Sequence, residues 1–348
     1  MGVSQAGVVK WSALLLMLVQ NAAFVLVMRY SRQQQKDTHG STYNISMVVT
    51  LQELFKMLLC AAILFGQTCS CRSVFLTLRH SSEVVRMAIP AACFTLQNNL
   101  LYVALSNLDP LLFQISYQVK TLLTVLLSVK MLGRIFSKWQ WFSQVLLTLG
   151  IVLVQLNEET PKAGAVEKTA RSPMLGMAAV LCAAFSSSFA SVYFERVLKA
   201  RTRDGASVAP ATSLWHRNMQ LCAWTVPMNL LLAALQGDVA KTLADPLRGF
   251  ELSTWCVIVV NGIGGLLVAV VIKYADNIWK GFATAGAIIL TGTLAPALGL
   301  GPPPNRLLVV GTGCVVGSLV LYSSAPLARP KNPLSEPLVQ TQCAKNTE

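Results

Sequence analysis

Charge is scarce in this chain. Only 12% of its 348 residues are Asp, Glu, Lys or Arg, about half the 25% share of an average soluble domain. Acids are scarcer than bases, 15 against 28. Histidine occurs three times, as His39, His80 and His216, in loops or at a helix end, which leaves little for metal-bound water or general acid–base work. No G-x-x-x-x-G-K-[ST] loop is present, so no nucleotide-driven motor is implied, and no chain of intramembrane acids offers a proton relay. The nine cysteines lack zinc-knuckle spacing: Cys69 and Cys71 are separated by one residue, and Cys60, Cys93, Cys182, Cys222, Cys256 and Cys314 fall singly in apolar runs, as small buried hydrophobes do. Cys343 is too far from the C-terminus for a prenylation box.

Apolar residues take the place of the missing charge, at 54% of the chain and a mean hydropathy of +0.55. A spanning helix needs about 20 mostly apolar residues, and lipid tolerates little other backbone structure. The pattern predicts an all-α polytopic membrane protein with ten spans near residues 10–28, 45–66, 87–105, 111–131, 139–156, 174–198, 213–236, 253–273, 281–300 and 307–325. The first lacks a small-residue cleavage site and is too long for a signal h-region, so it reads as a retained helix. An even count puts both termini on one side. That side carries 17 of the 28 Lys and Arg, the other carries nine, and Lys56 and Lys120 fall inside spans. The positive-inside bias orients both termini to the cytosol. The net charge of +13 is spread over short loops, and without a basic patch interleaved with aromatics it is no nucleic-acid footprint.

Residues 157–173 form a polar break with five spans on either side. An odd number of helices per repeat inverts the second relative to the first. The fourth span of each half follows a comparable turn, Ser106 to Pro110 in one and Lys273 to Asn277 in the other, with Asp109 and Asp276 167 residues apart. Glu53 to Lys56 is matched about 165 residues later by Arg217, Asn218 and Gln220. The expected organisation is a cytosolic 1–9, a five-helix repeat over 10–156, a luminal linker 157–173, a second repeat over 174–325 and a disordered cytosolic tail 326–348. The acceptor Asn44-Ile45-Ser46 is luminal in this scheme but abuts the second span.

Charges inside spans cost roughly 3 kcal/mol or more and mark sites by default. Glu53 and Lys56 lie at i,i+3 on one face of the second span, a spacing that suits either a site or a neutralised packing pair. Lys120 stands near the middle of the fourth with no partner close in sequence and with about ten apolar residues on each side to defeat snorkelling. Tyr117, three residues earlier, shares its face. Gln97, Asn98 and Asn99 make a polar step in the third span, readable alone as interhelical glue. Gly262, Gly264 and Gly265 in the eighth span let a helix or ligand approach, and Ser186, Ser187, Ser188 and Ser191 suit packing. With Arg217 and Lys273 at helix ends, cations outnumber the one carboxylate at depth. A site they share attracts an anion, phosphate being the natural candidate.

Five ordered stretches give this pattern a resemblance: QNNLLYVALSNLD (97–109), FQISYQVKTLLT (113–124), SSSFASVYFERVLK (186–199), WHRNMQL (215–221) and GGLLVAVVIKYADNIWKGFAT (264–284). They resemble the motifs of the Golgi nucleotide-sugar transporters, in the group of UDP-galactose, UDP-N-acetylglucosamine and CMP-sialic acid carriers, over about residues 10–325. The resemblance implies the drug/metabolite transporter fold of ten helices in a five-plus-five inverted repeat, and exchange of a luminal nucleoside monophosphate for a cytosolic nucleotide sugar. It implies that Glu53 and Lys56 lie by the substrate, Gln97 and Asn98 near the nucleoside, and Tyr117 against the base. Lys120, Asn218 and Lys273 are implied to contact phosphate and ribose, while Gly264 and Gly265 make room for the ligand. Cys222 and Trp224 resemble the small-then-aromatic pattern of UDP-sugar members rather than the Tyr-then-Ser of CMP-sialic acid members. Galactose and N-acetylglucosamine stay open.

In the ninth span Ala285, Gly286 and Ala287 stand where relatives carry hydroxyls. No cofactor or metal is expected. Partners are the nucleotide sugar, the monophosphate and the lipid bilayer, with a homo-oligomer or a complex with glycosyltransferases as further expectations. The Golgi membrane is the expected location, the endoplasmic reticulum membrane a second. Three rivals are carried: a CMP-sialic acid/CMP antiporter, an enzyme of lipid-linked sugars, for which Glu53 alone would have to fill two roles, and a carrier of another phosphorylated metabolite.

Overall fold

A computed structural model describes residues 5–37, 45–79, 81–108, 110–157, 172–199, 214–236, 247, 250–299 and 303–325. The Asn44 acceptor, Asp109, residues 158–171 of the expected linker and the 326–348 tail lie outside them. Helices account for the ordered backbone, with no strand among the described residues. They are α1 (Gln5–Asp37), α2 (Ile45–Thr68), α3 (Cys71–Arg79), α4 (Ser81–Asn107), α5 (Pro110–Tyr117), α6 (Val119–Leu132), α7 (Lys138–Asn157), α8 (Pro173–Lys199), α9 (Leu214–Gln236), α10 (Leu252–Tyr274), α11 (Asn277–Ala297) and α12 (Arg306–Ser324).

Among the described residues eight stretches are long and apolar enough to cross a bilayer: in α1, α2, α7, α8, α10, α11 and α12, and one continuing from α5 into α6. The protein is therefore an all-helical polytopic membrane protein. The long helices α4 and α9 fall outside that set. They carry the polar steps Gln97 to Asn99 and His216 to Gln220, whose amides and charges dilute an apolar window.

Two departures from the expected spans matter for the site. The fourth is broken: at Gln118 the ladder tightens, Gln118 N donating to Ile115 O (3.1 Å) and Thr121 N to Gln118 O (2.9 Å), which divides α5 from α6. The i→i−3 bonds shorten the turn between Tyr117 and Lys120. The ninth starts at Asn277 rather than near 281, because the Asp276 carboxylate accepts from Ile278 N and Trp279 N, 2.9 Å each, and caps it. Lys280 is thereby drawn one turn inside the helix. At the other end of α6, Gly133 adopts φ 67°, which glycine takes without strain, and the chain turns there so that Arg134 meets α8 and the start of α11.

Helix pairing is long-range: α4 lies along α8, α2 along α9, α1 along α10 and α11, α6 along α8, and α7 along α12. The α7–α12 pair brings two backbones close together. A Cβ on Gly150 would stand 2.9 Å from Gly311 O and Val315 N, and one on Gly311 would stand 2.8 Å from Gly150 O. Without a hydrophobic drive between helices in lipid, such small residues supply the close packing. Gly311→Val should lower the thermal midpoint of the purified, detergent-solubilised protein by about 5 °C, since overpacking costs roughly 1–3 kcal/mol. An unchanged midpoint in a melting scan would show that the helices do not cross at these glycines.

Candidate functional site

The i,i+3 spacing on α2 turns Glu53 and Lys56 toward the middle of the bundle. Lys56 Nζ lies 2.7 Å from Glu53 Oε1, and Glu53 Oε2 accepts from Thr225 Oγ1 on α9 at 2.7 Å. Lys56 is buried. Its stem passes under α10 where Gly265 has no side chain, since a Cβ there would sit 3.0 Å from Lys56 Cδ. Around this pair opens a cavity of about 230 Å³, lined by Thr95 and Asn98 of α4, Ser191 of α8, Asn218, Thr225 and Asn229 of α9, Gly265 of α10 and Lys280 of α11. Asn218 Nδ2 is held by Leu214 O at 3.0 Å. Phe94, Phe194, Leu221, Val268 and Ile272 form the apolar walls. The lining is a few convergent polar groups on an apolar surface, as in most ligand sites.

Beside it stands the break in the fourth span. Lys120 Nζ lies 4.8 Å from the Tyr117 ring centroid, a cation–π distance. The Lys120 carbonyl accepts from Ser188 Oγ on α8 at 2.9 Å, which anchors the break. Lys120 is close enough to Lys280 for their charges to interact, and Lys280 Nζ reaches Ser191 Oγ at 3.4 Å. Among the described residues neither lysine has a carboxylate within ion-pair distance. Glu53 is matched to Lys56, and Glu195, near enough for its charge to act on Lys280, is held by Arg134, Lys199 and Asn277, which leaves the centre with an excess of positive charge suited to an anion.

A second group of charges closes one end of the bundle. Glu195 on α8 is a second buried carboxylate where the sequence reading counted Glu53 alone; it has no solvent-exposed surface, and it meets the Arg134 guanidinium, Lys199 Nζ at 2.8 Å and Asn277 Nδ2 at 2.8 Å. Arg134 also pairs with Asp276 at 3.0 Å, and Lys199 donates to Ala275 O at 2.8 Å. Burial works against the Arg134 charge, but Asp276 and Glu195 together outweigh it and hold the guanidinium above its ordinary pKa. These contacts tie the ends of α6, α8 and α10 to the start of α11. Lys10 of α1 joins the same end, over the Trp279 ring at 4.2 Å.

The structure thus brings Glu53, Lys56, Asn98, Asn218 and Gly265 to one cavity, with Tyr117 and Lys120 adjoining it. Other residues singled out from the sequence stand elsewhere. Gln97 is one position round from Asn98, its Oε1 buried without a partner among the described residues. Cys222 is fully buried, with Glu53 as a neighbour. Trp224 turns to α4, Nε1 donating to Val84 O at 2.9 Å. Gly264 makes room for the Gln20 side chain of α1 rather than for a ligand, because a Cβ there would collide with that amide. Lys273, at the end of α10, lies 5.5 Å from the Tyr274 ring and outside the cavity lining; Lys280 supplies the cation there. Sequence reasoning missed Lys280, Ser191, Thr95, Thr225 and Asn229. For Lys280 a signal was present, since an Asp four residues earlier is a helix cap and puts the lysine a full turn into the helix. Among the described residues no group of three His, Cys, Asp or Glu is placed to hold a metal ion.

A model of the nucleotide-sugar transporter family matches residues 5–323. The UDP-N-acetylglucosamine transporter of Bos taurus is 36% identical, covering 91% of this chain and 96% of its own length. The UDP-N-acetylglucosamine/UDP-N-acetylgalactosamine transporter nstp-4 of Caenorhabditis elegans is 36% identical over 92% of this chain and 95% of its own. The UDP-galactose translocator of Homo sapiens is 37% identical over 90% and 77%. A crystal structure at 16% identity superposes with a TM-score of 0.63, covering 92% of this chain and 98% of that one, which is a likeness of fold. A whole-chain match to the family and relatives at this identity lead to one conclusion: this chain is a transporter and belongs to the nucleotide-sugar transporter family.

Proposed function

We propose that the protein is an antiporter that carries a UDP-sugar, UDP-galactose or UDP-N-acetylglucosamine or both, into the Golgi lumen in exchange for UMP. The observation that carries this reading is the pair of lysines, Lys120 and Lys280, with no carboxylate within ion-pair distance among the described residues, beside a cavity whose own acid is already neutralised. In that reading they hold the phosphates, Asn98 and Asn218 address the nucleoside, and Tyr117 offers its ring to the base. The names of the relatives, all carriers of UDP-sugars, support uracil over cytosine.

The mechanism proposed is alternating access between two inverted five-helix repeats in ten spans, with α5 and α6 forming one span and both termini in the cytosol. Helix pairing supports it. Exchanging the halves turns the packing of α4 on α8 into that of α10 on α1, α6 on α8 into α11 on α1, and α4 on α9 into α10 on α2, all of which occur. The pairs α2–α9 and α7–α12 map onto themselves. A broken helix at the site is a recurrent transporter device. The Glu195 network closes the end that the charge bias assigns to the cytosol. Like charges on Lys120 and Lys280 oppose closure of an empty site, and a bound nucleotide removes that repulsion; exchange rather than leak follows.

Lys120→Ala and Lys280→Ala should each lower UDP-sugar exchange in proteoliposomes by roughly 10–100-fold with protein abundance near normal, the loss expected for a charge-assisted hydrogen bond. Uptake near the wild-type rate in either variant would remove that lysine from the phosphate site. Vesicles preloaded with UMP should take up UDP-galactose or UDP-N-acetylglucosamine faster than vesicles preloaded with CMP take up CMP-sialic acid. Equal or reversed stimulation would overturn the assignment to UDP.

A further inference from the structure

The corner between α2 and α3 carries two cysteines separated by one residue, Cys69 and Cys71. Both are exposed, unlike Cys60 and Cys222, which are buried. Cys182 and Cys256 are exposed as well, but they lie within the spans of α8 and α10. Among the described residues, exposed thiols outside a span are therefore confined to this corner.

Its depth follows from the length of α2. The span Met47–Thr68 has 22 residues, about 33 Å at 1.5 Å per residue, against a hydrocarbon core of about 30 Å. One crossing ends at the corner, and both cysteines emerge at headgroup level. Leu58 and Phe65 are exposed on α2 seven residues apart, on the stripe that faces lipid, and Cys69 follows Phe65 by one turn. Cys69 N still donates to Phe65 O at 2.7 Å. With Cys69 at φ 49° the ladder of α2 stops and the chain turns into α3.

A helix as short as α3 is not stable alone in water. It is seated by packing on α2, α9 and α4, with Val74 set against Cys60, Leu64, Met219 and Leu266. Its other side is open: Phe75 is 69% exposed and Leu78 38%. Cys71, Phe75 and Leu78 stand at i, i+4 and i+7, which is one stripe of a helix. A thiol thus heads an apolar stripe at the edge of the membrane. The sequence sets Arg72, Arg79 and Arg86 around it, charges that suit an anionic leaflet.

We propose that Cys69 and Cys71 form an S-acylation site, each taking a long-chain fatty acid as a thioester. The donor is a fatty acyl coenzyme A, used by an acyltransferase of the same membrane. The bond from cysteine Sγ to the acyl carbonyl forms as the bond from that carbonyl to the coenzyme A sulfur breaks, and the thiol proton ends on the departing coenzyme A. One thioester replaces another, so no oxidant or reductant enters. Cysteines at the membrane edge beside an amphipathic helix are the setting in which this modification occurs. A chain on Cys71 runs along Phe75 and Leu78 into the bilayer, and one on Cys69 re-enters beside Phe65. The acyl chains tie α3 to the membrane surface, and with it α9, whose Met219 packs against Val74 and whose Asn218 lines the central cavity. The site is independent of the sugar carried. It rests on the orientation proposed above, which puts this corner in the cytosol with the acyl donor.

The test uses the full chain expressed in cultured eukaryotic cells. Free thiols are blocked, then either hydroxylamine, which cleaves thioesters, or a reductant, which cleaves disulfides, is applied, and released thiols are tagged with a maleimide polymer that retards the protein on a gel. After hydroxylamine the wild-type protein should show two retarded steps, Cys69→Ser and Cys71→Ser one each, and the double variant none. Incorporation of a clickable palmitate should fall at least tenfold in the double variant, with its size-exclusion profile unchanged; the single variants decide the matter if the double variant does not fold. No hydroxylamine-dependent step in the wild type, steps that persist in the variants, or steps released by reductant alone would overturn the site. In sealed vesicles with the cytosolic face outward, an impermeant maleimide should reach the released thiols without permeabilisation. Tagging only after permeabilisation would overturn the orientation and the site with it, while UDP-sugar exchange in proteoliposomes separately judges the transport reading.

Discussion

Glu195 is a carboxylate with no exposed surface, and it is held there by Arg134, Lys199 and Asn277. Removing one partner from such a buried pair typically costs about 3–5 kcal/mol, so the donors and the acid constrain one another. That constraint reaches through the molecule. Arg134 arrives by the glycine turn that ends α6, Asn277 by the cap that starts α11, and Lys199 reaches the carbonyl that ends α10. The positions of Lys120, on α6, and Lys280, on α11, follow from where those helices are tied.

The same logic of partnered charge separates what is structural from what is free to act. Glu53 and Lys56 satisfy each other and take a third contact from Thr225. The Glu195 network is satisfied within itself. Lys120 and Lys280, set near each other, have a tyrosine ring and a serine hydroxyl for company and, among the described residues, no carboxylate within ion-pair distance. In a bilayer an unpaired cation is expensive, and a mobile anion is the partner that relieves it. In the proposed exchange that relief has to be temporary, and point charges carried on two separate helices, α6 and α11, allow release.

Much of the architecture was legible from patterns that lipid imposes. Long apolar runs read as helices because backbone groups must bond within the segment, and Lys120 read as a site because nothing near it in sequence neutralises it. Tyr117 and Lys120 were expected on one face and lie as a cation–π pair. Lys280 was less legible: it falls just ahead of the span expected from about residue 281, and its membership of the helix depends on the Asp276 cap. Gly264 and Gly265 look alike in sequence, yet one faces Gln20 and the other Lys56, because consecutive positions on a helix point about 100° apart.

From the sequence alone come the membrane class, the helical spans and the identity of the charges at depth, since burying apolar length and isolating charge are local costs written residue by residue. The motifs carried the family as well. Only the tertiary structure decided which of those groups share a space: that Lys280 rather than Lys273 lines the cavity, and that Trp224 turns away to Val84. Those are facts of helix rotation and crossing, set by contacts between residues far apart in the chain, which no local periodicity records.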